Sequence, residues 1–463
     1  MDLRLSVTEW GILLTVLAAL GAASLWRLGE MVVPDMDEGV YVYAGKLIAE
    51  GSRPYRDFML AHPPLVPYLA AAAWVLGGGS LDFTRLFAVA VTLASCIPLY
   101  LLARRIAATA ASGFLAVCIY LVGLVWIANL GRTIRLEPIQ NALLIGGAAA
   151  WMLGTRRRSA FVAGLLLAAA VSAKLTSVVP IGLLAIAELA WPSGGRADGE
   201  RRRTLVLGAV LLLGPLTAWC VAQDGFIEWV FRAQVGRPRE TLAERSAAFF
   251  LAVARFPVLL PGFLLAAWQL RAPDPRRRTL AVIALGSSVA AVLIFHTFFR
   301  HYLALALPWL AILMGAWGAS LRGGRTPRWL VPAAVAAAFL SPIGFTELSF
   351  RLAPEHSSGA ATVLPHLRAG RGYLLTSAPD FALVSGRTLL PWYFTVDNYL
   401  GRVTGRLTDA EFASAVSRAG TVVLYRGEAG RLPLTRALLA ERFRQLPADP
   451  HWEAWEAVPA ASR

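Results

Sequence analysis

Long apolar runs alternate with short polar connections along the first 345 residues. Most runs approach the roughly 20 residues that a helix needs to cross a bilayer. This pattern predicts an all-α polytopic membrane bundle with about eleven transmembrane helices. The predicted spans lie near 10–28, 83–103, 108–128, 138–153, 160–173, 176–191, 204–222, 247–269, 279–298, 302–320 and 329–345.

The pattern changes after the last apolar run. Alternating apolar and polar residues at 373–376 and 421–425 indicate β-strands. The sequence Thr408-Asp-Ala-Glu411 is typical of a capping box that opens a helix. We therefore predict a transmembrane domain at 1–345 and a small C-terminal α/β domain at 346–463.

The segment 29–82 is a long polar connection between the first two spans. Apolar residues recur at helical spacing over 38–50, and Gly51 ends that helix. Pro63-Pro64 opens a second apolar stretch that reaches Leu76. This stretch is too short to span, so we expect it to lie in the membrane interface.

Composition supports a membrane protein: 57% of the residues are hydrophobic and 16% are charged. The net charge of +15 falls largely in arginine clusters on every second connection, which argues against nucleic-acid binding. The positive-inside rule places these clusters and the N-terminus in the cytoplasm, and an odd number of spans places the C-terminal domain outside. The clusters are Arg104-Arg105, 156–158, 201–203, 276–278 and Arg322 with Arg325 and Arg328.

Three carboxylates, Asp35, Asp37 and Glu38, follow the first span at the predicted outer surface. Acids near lipid are costly, so a cluster indicates function. A carboxylate such as Asp37 can act as a general base on a hydroxyl group. The alternative is that the acids cap the following helix, whose N-terminal dipole favours negative charge.

The same connection reads Asp37-Glu38, Tyr41, Ala44, Gly51, Pro54-Tyr-Arg-Asp-Phe58 and His62-Pro-Pro-Leu65. It resembles the first loop of the C-type membrane glycosyltransferases, especially glycosyltransferase family 39, which includes the protein O-mannosyltransferases, and the aminoarabinose transferases of lipid A. The resemblance implies a GT-C fold and an enzyme. Such an enzyme moves a sugar, with inversion, from a polyprenyl-phosphate donor to a hydroxyl of a protein, lipid or cell-wall glycan. The reaction would occur on the outer face of a bacterial cytoplasmic membrane.

The resemblance implies that Asp37 is the general base, while Glu38 either shares the catalysis or orients the loop. Glu137 ends the stretch Arg132-Thr-Ile-Arg-Leu-Glu137, where family members carry an arginine followed by an acid. Glu137 is therefore a third catalytic candidate, which would hold the acceptor or pair with a phosphate-binding cation. The alternative is a cap for a helix that begins at Pro138.

Several other residues are candidates for binding the donor phosphate. Lys174 lies between two apolar helices, where an ammonium is costly unless it meets an anion or snorkels to water. Arg300 can form two charge-assisted hydrogen bonds with a phosphate, although an interfacial belt of aromatic and basic residues is the alternative. The remaining candidates for substrate binding are His301, Tyr302, Tyr55, His62 and Arg132.

A divalent metal is a further open prediction, since His62 and Asp57 could form a site with Asp37 or Glu38 that binds Mg²⁺, Mn²⁺ or Zn²⁺. The outer connection 223–246 is expected to cover the site or hold the lipid headgroup. Two rival functions are a transporter or flippase of lipid-linked sugars and a non-catalytic membrane scaffold. The transporter is less favoured, because the acids gather at one surface and the sequence shows no internal repeat.

Overall fold

A computed structural model describes residues 5–33, 36–191, 198–236, 239–256, 258–324, 327–352, 358–376, 378–389, 408–425, 439–446 and 452–458. Asp35 and Arg325, two residues of the predicted clusters, lie outside these ranges. In chain order the helices up to residue 221 are α1 Val7–Ser24, α2 Met36–Ala49, α3 Leu65–Leu76, α4 Leu81–Ala107, α5 Ala110–Ala128, α6 Leu136–Leu153, α7 Arg157–Ala173, α8 Val178–Ala190 and α9 Asp198–Val221.

A π-helical turn at Glu228–Arg232 and the short α10 Ala233–Val235 follow. The remaining helices are α11 Leu242–Arg255, α12 Leu259–Gln269, α13 Pro275–Leu293, α14 Leu307–Gly324, α15 Leu330–Leu352, α16 Ser358–Ala369, α17 Asp380–Ser385 and α18 Asp409–Arg418. The strands are β1 Tyr373–Thr376, β2 Ala419–Tyr425, β3 Phe443–Gln445 and β4 Trp452–Ala457.

The chain is a multi-pass membrane protein that is mostly helical, as predicted. Each predicted apolar span coincides with a helix or a pair of helices. Within the described ranges, five helices are long and apolar enough to cross a bilayer: Val7–Glu30 (which includes the turn after α1), Leu81–Ala107, Ala110–Ile127, Gly199–Val221 and Leu330–Arg351. A sixth is added if α11 and α12 form one span. That eleven helices cross the membrane remains a prediction.

The predicted span 247–269 is not one continuous helix, which corrects the sequence-based expectation. Helices α11 and α12 meet at an angle of 108°. The sequence at the break is Phe256-Pro-Val258. A proline lacks the amide hydrogen that a continuous helix would use at this position, so the sequence itself disfavours one unbroken helix.

Contacts between residues divide the chain into two units. The first consists of residues 1–26, 86–220 and 238–345, and the second of residues 27–85, 221–237 and 346–463. The predicted boundary between a membrane domain and a C-terminal domain at 345/346 remains a prediction.

Close helix packing forms the core of the first unit. Helices α5 and α14 pack along each other, as do α6 and α7. A Cβ atom on Gly315 would lie 2.5 Å from the carbonyl oxygen of Ser112, so only glycine allows this approach of α14 to α5. The cysteines, at positions 96, 118 and 220, are buried and free. Leu, Ala and aromatic side chains fill the space between the helices.

The second unit combines the connection 27–85 with the C-terminal sheet. Helices α2 and α3 pack together, and a Cβ on Gly45 would come within 2.7 Å of the Ala71 nitrogen. The sheet order is β1-β2-β4-β3, with β1 parallel to β2 and the other pairs antiparallel. The two predicted strands are confirmed as β1 and β2. The Thr408 capping box is also confirmed, because the Thr408 side chain accepts from the Glu411 amide.

Candidate functional site

A polar face on α6 organises the candidate site of the first unit. Glu137, Gln140 and Asn141 are buried and follow the i, i+3, i+4 spacing of one helix face. The side-chain amide of Gln140 donates to the hydroxyls of Thr176 and Ser177, at 3.0 and 2.7 Å. These bonds fasten the turn that follows α7 to α6.

The same face also fastens a second turn. Asn141 Nδ2 donates to the carbonyl oxygen of Ala304 at 2.9 Å. Ala304 belongs to the 3₁₀ turn Arg300–Leu305, which precedes α14. Two segments far apart in sequence are therefore held next to Glu137.

Cationic side chains converge on the Glu137 carboxylate. Lys174 Nζ lies 2.5 Å from Glu137 Oε1, and Arg135 Nε lies 3.6 Å from Oε2. His301 Nε2 is 3.7 Å from Oε1, an ion pair when the imidazole is protonated. The ring centroid of Tyr302 is 5.2 Å from Lys174 Nζ, a cation–π contact. The sequence-predicted residues Glu137, Lys174, His301 and Tyr302 are thus brought together.

The charges of this cluster suit a bound anion. Lys174 and Arg135 bring two cations to the one carboxylate of Glu137, and these three side chains are 3–7% exposed. Buried positive charge is costly without a counterion, and a phosphate supplies one together with several hydrogen-bond acceptors.

Arg135, Gln140 and Asn141 were missed as site residues. For Gln140 and Asn141 the available signal was the i, i+3, i+4 spacing of polar residues that begins at Glu137 in an apolar helix, whereas Arg135 precedes that helix.

Lys174 occupies the predicted break between two helices. Helix α7 ends at Ala173, and Lys174 is extended, with φ −156° and ψ 128°. Its amide still donates to the carbonyl oxygen of Ala170. Lys174 alone therefore separates α7 from the 3₁₀ turn Leu175–Ser177. Because Lys174 is 6% exposed and paired with Glu137, its ammonium does not snorkel to solvent.

The other predicted phosphate-binding residues have different surroundings. Arg300 is exposed at the start of its turn, beside the stacked rings of Phe299 and His301. Arg132 is buried and donates to the carbonyl oxygens of Ser24 and Trp26, at 2.7 and 3.1 Å. Arg132 therefore secures the end of α1, and its role in substrate binding remains a prediction.

In the second unit, Asp37 and Glu38 stand in the first turn of α2. Asp37 is half-buried and Glu38 is fully buried. Both oxygens of Glu38 accept from Arg85, whose Nε and Nη2 lie 3.0 and 2.7 Å from Oε1 and Oε2. Arg85 Nη1 donates to the carbonyl oxygen of Leu28 at 2.9 Å. Glu38 thus ties α2 to the start of α4.

Tyr55 and His62 shape the loop between α2 and α3. Tyr55 has φ +68°, and its hydroxyl donates to the carbonyl oxygen of His62 at 2.7 Å. The rings of His62 and Tyr41 lie 6.2 Å apart, and Tyr55 meets Phe226 edge to face at 5.1 Å. This geometry accounts for the tyrosine of the Pro-Tyr-Arg-Asp-Phe motif as a loop-forming residue.

The connection after α9 packs on that same loop. Trp229 forms a small core with Met59, and Gln234 Nε2 donates to the carbonyl oxygen of Ala61 at 3.2 Å. Across the described ranges, no three His, Cys, Asp or Glu residues cluster closely enough to hold a metal ion. The metal site at Asp37 and His62 remains a prediction.

No known protein family's sequence profile matches the chain, and no curated protein sequence is similar to it. Solved structures do match. The structure of ArnT from Cupriavidus metallidurans bound to undecaprenyl phosphate is 14% identical, with a TM-score of 0.68 over 98% of this chain and 99% of that chain. Its apo state gives a TM-score of 0.70 at 14% identity over 97% and 98%.

The chain has the ArnT fold. The resemblance of the segment 29–82 implied a GT-C fold, and this fold is confirmed over nearly the whole chain. The oligosaccharyltransferase AglB from Archaeoglobus fulgidus, in complex with an inhibitory peptide and a dolichol-phosphate, also matches. It is 11% identical, with a TM-score of 0.50 over 91% of this chain and 70% of that chain.

Proposed function

We propose that the chain is an integral-membrane glycosyltransferase that moves a sugar from a polyprenyl-phosphate donor to an acceptor hydroxyl. The observation that carries this proposal is the convergence of Arg135, Lys174 and His301 on Glu137 in a buried site of a membrane protein. The fold adds support, because the ArnT structure holds undecaprenyl phosphate and the AglB complex holds dolichol-phosphate.

In the proposed reaction Asp37 accepts the proton of the acceptor hydroxyl. The oxygen of that hydroxyl then attacks the anomeric carbon of the donor sugar, and the bond from that carbon to the phosphate oxygen breaks. A single displacement inverts the anomeric centre and releases the polyprenyl phosphate. General-base catalysis of this kind contributes about 10²–10⁴-fold to the rate.

The cationic cluster serves the leaving group. Negative charge builds on the phosphate as the sugar departs, and preorganised cations stabilise that charge in the transition state. Lys174 and Arg135 are assigned to this role, with Arg300 and His301 completing the phosphate site. Glu137 holds the two buried cations in place while the donor is absent, because unpaired buried cations would be strongly destabilising.

Glu38 is assigned to positioning rather than to proton transfer, because both of its oxygens accept hydrogen bonds from Arg85. Tyr55 and His62 shape the loop between α2 and α3, and Arg132 secures the end of α1. The proposed steps use only side chains of the protein and the two substrates. Adding a chelator to the transfer assay tests the predicted metal site at Asp37 and His62.

The orientation in the membrane is part of the proposal. We place the N-terminus and the arginine clusters in the cytoplasm, with eleven helices crossing the bilayer. The candidate residues and the C-terminal domain then lie outside, on the outer face of a bacterial cytoplasmic membrane. A protein, a lipid or a wall glycan can serve as acceptor.

Sugar transfer from defined donors tests the function. Membranes with and without the protein are incubated with radiolabelled undecaprenyl-phosphate hexose or undecaprenyl-phosphate aminoarabinose, and label is followed into protein, lipid and glycan fractions. Protein-dependent incorporation supports the proposal. Label that crosses the bilayer without leaving its lipid carrier contradicts the proposal and indicates a flippase.

A further inference from the structure

The C-terminal region makes close contact with the helix that carries Asp37. Helix α17 packs against α2. A Cβ atom on Gly39 would lie 2.2 Å from Asp380 Oδ2 and 2.4 Å from the Asp380 nitrogen. Real Cβ atoms never come so near, so Gly39 is required for this approach. Asp380 is fully buried. It packs against Gly39 in the first turn of α2, and Gly39 lies two residues after Asp37.

Asp380 also belongs to the electrostatic environment of Arg85. The Arg85 guanidinium binds both oxygens of Glu38 and interacts electrostatically with the carboxylate of Asp380. Arg85 is 2% exposed, so its charge is poorly screened by water. Arg85 is therefore hydrogen-bonded to Glu38 and lies in the electrostatic field of Asp380, an acid from a distant part of the chain.

A second contact joins the same two regions. The backbone amide of Leu389 donates to the hydroxyl of Tyr43 at 2.8 Å. Tyr43 lies on α2, four residues after Gly39, and is fully buried. Burial raises the pKa of Tyr43, so its hydroxyl stays neutral. The C-terminal region thus contacts α2 at two successive turns.

The segment 380–389, which contacts α2, is anchored in the C-terminal sheet. Phe381 on α17 meets Trp452 on β4 edge to face, with ring centroids 4.8 Å apart. Leu389 forms a β-bridge with Leu374 on β1. A shift of the sheet would consequently move the residues that contact α2.

We propose that Asp380 is a positioning residue for the transferase reaction, which holds the first turn of α2, and with it Asp37, through Arg85 and Glu38. The C-terminal region then acts as part of the catalytic unit rather than as a separate binding module. This inference rests on the proposed function, in which Asp37 is the base. It adds a role for a residue more than 300 positions away in the chain.

The test compares kcat and the donor KM of full-length Asp380→Asn, Glu38→Gln and the double variant. Asp380→Asn keeps the shape of the side chain and removes its charge. We expect kcat to fall on the order of 10-fold with the donor KM unchanged, and Asp380→Glu to regain part of the loss. Because the two acids act through the same guanidinium, the effects of the single changes should be non-additive in the double variant.

Tyr43→Phe provides a second variant that leaves every charge in place and removes the acceptor for the Leu389 amide. It should also lower kcat without raising the donor KM. The matched control is Glu456→Gln, an exposed acid of β4 paired with Arg444, which should leave kcat unchanged.

Two results would overturn the inference. One is wild-type kcat in Asp380→Asn and in Tyr43→Phe. The other is strictly additive effects of Asp380→Asn and Glu38→Gln. Asp37→Asn distinguishes failure of the positioning role of Asp380 from failure of the proposed base. If Asp37→Asn is inactive while Asp380→Asn is fully active, only the positioning role fails. If Asp37→Asn is fully active, the proposed base itself is wrong.

Discussion

Lys174 Nζ lies 2.5 Å from Glu137 Oε1, and the two residues are 37 positions apart in the sequence. Both side chains are more than nine-tenths buried. Breaking such a pair by removing one partner leaves an uncompensated charge, whereas removing both charges often costs little. The pair therefore allows a structural role to be separated from a functional one.

Lys174→Met should reduce transfer by about 100-fold, because one preorganised charge is lost from the site of the departing phosphate. It should also lower the free energy of unfolding, since Glu137 loses its closest cation and keeps only the more distant Arg135 and His301. Initial rates and thermal unfolding in detergent measure both. The double variant Lys174→Met with Glu137→Gln should remain inactive and stay less stable than wild type, because Arg135 is then left without the Glu137 carboxylate. Recovery of activity in the double variant would show that Lys174 has no role in catalysis.

Glu38→Gln should destabilise the second unit by about 3–5 kcal/mol, because Arg85 keeps its buried charge and loses the carboxylate that binds it. Replacing both residues, with Glu38→Gln and Arg85→Met, should cost less than Glu38→Gln alone. Chemical unfolding of the purified variants measures the difference. Equal stability of Glu38→Gln and wild type would mean that this ion pair does not secure the loop.

Gln140→Leu should weaken donor binding by displacing the turn that carries Lys174. The change removes the two hydrogen bonds to Thr176 and Ser177 and should cost about 1–2 kcal/mol of stability. We expect the donor KM to rise several-fold. Thr176→Val removes only one of the two bonds and should have a smaller effect. A larger loss in Thr176→Val than in Gln140→Leu would argue against this mechanism.

The pH dependence of α18 follows from its capping box. Hydrogen bonds with the backbone and side chain of Thr408 lower the pKa of Glu411. A lowered pKa in the folded state contributes stability above the unfolded-state value, and this contribution is lost as the pH falls through the folded-state value. Glu411→Gln should therefore weaken α18 at pH 7, and the effect should shrink as the pH falls below the ordinary glutamate pKa. Hydrogen exchange over 409–418, compared between variants at equal pH, measures this. A difference that grows toward acid pH would contradict it.

Much of the fold follows from the sequence because lipid and water impose simple patterns. Apolar runs locate the helices from α4 to α9 within a few residues, and the Thr408 capping box locates α18. The bend between α11 and α12 was missed because both arms are apolar. Hydropathy does not register the loss of a backbone donor at a single proline.

The candidate site was predictable as a set of residues but not as a cluster. Glu137, Lys174 and His301 each stand out as polar groups beside apolar helices, yet their convergence depends on how α6 packs with two distant turns. Arg85 was missed for a related reason. Its partner Glu38 is 47 residues away, and an arginine near the start of a span is ordinarily a surface residue.

The role of Asp37 as the general base is tested by Asp37→Asn, assayed for both donor binding and sugar transfer. Purified wild type and variant are incubated with radiolabelled undecaprenyl-phosphate sugar, first without acceptor to measure binding and then in membranes to measure transfer. Glu50→Gln, an exposed acid just after α2 that pairs with Lys46, is the matched control.

We predict that Asp37→Asn binds the donor normally and transfers sugar about 10²–10⁴-fold more slowly than wild type, while Glu50→Gln keeps wild-type rates. Transfer by Asp37→Asn at the wild-type rate would contradict the account, because a hydroxyl attack at this site would then need no carboxylate at position 37.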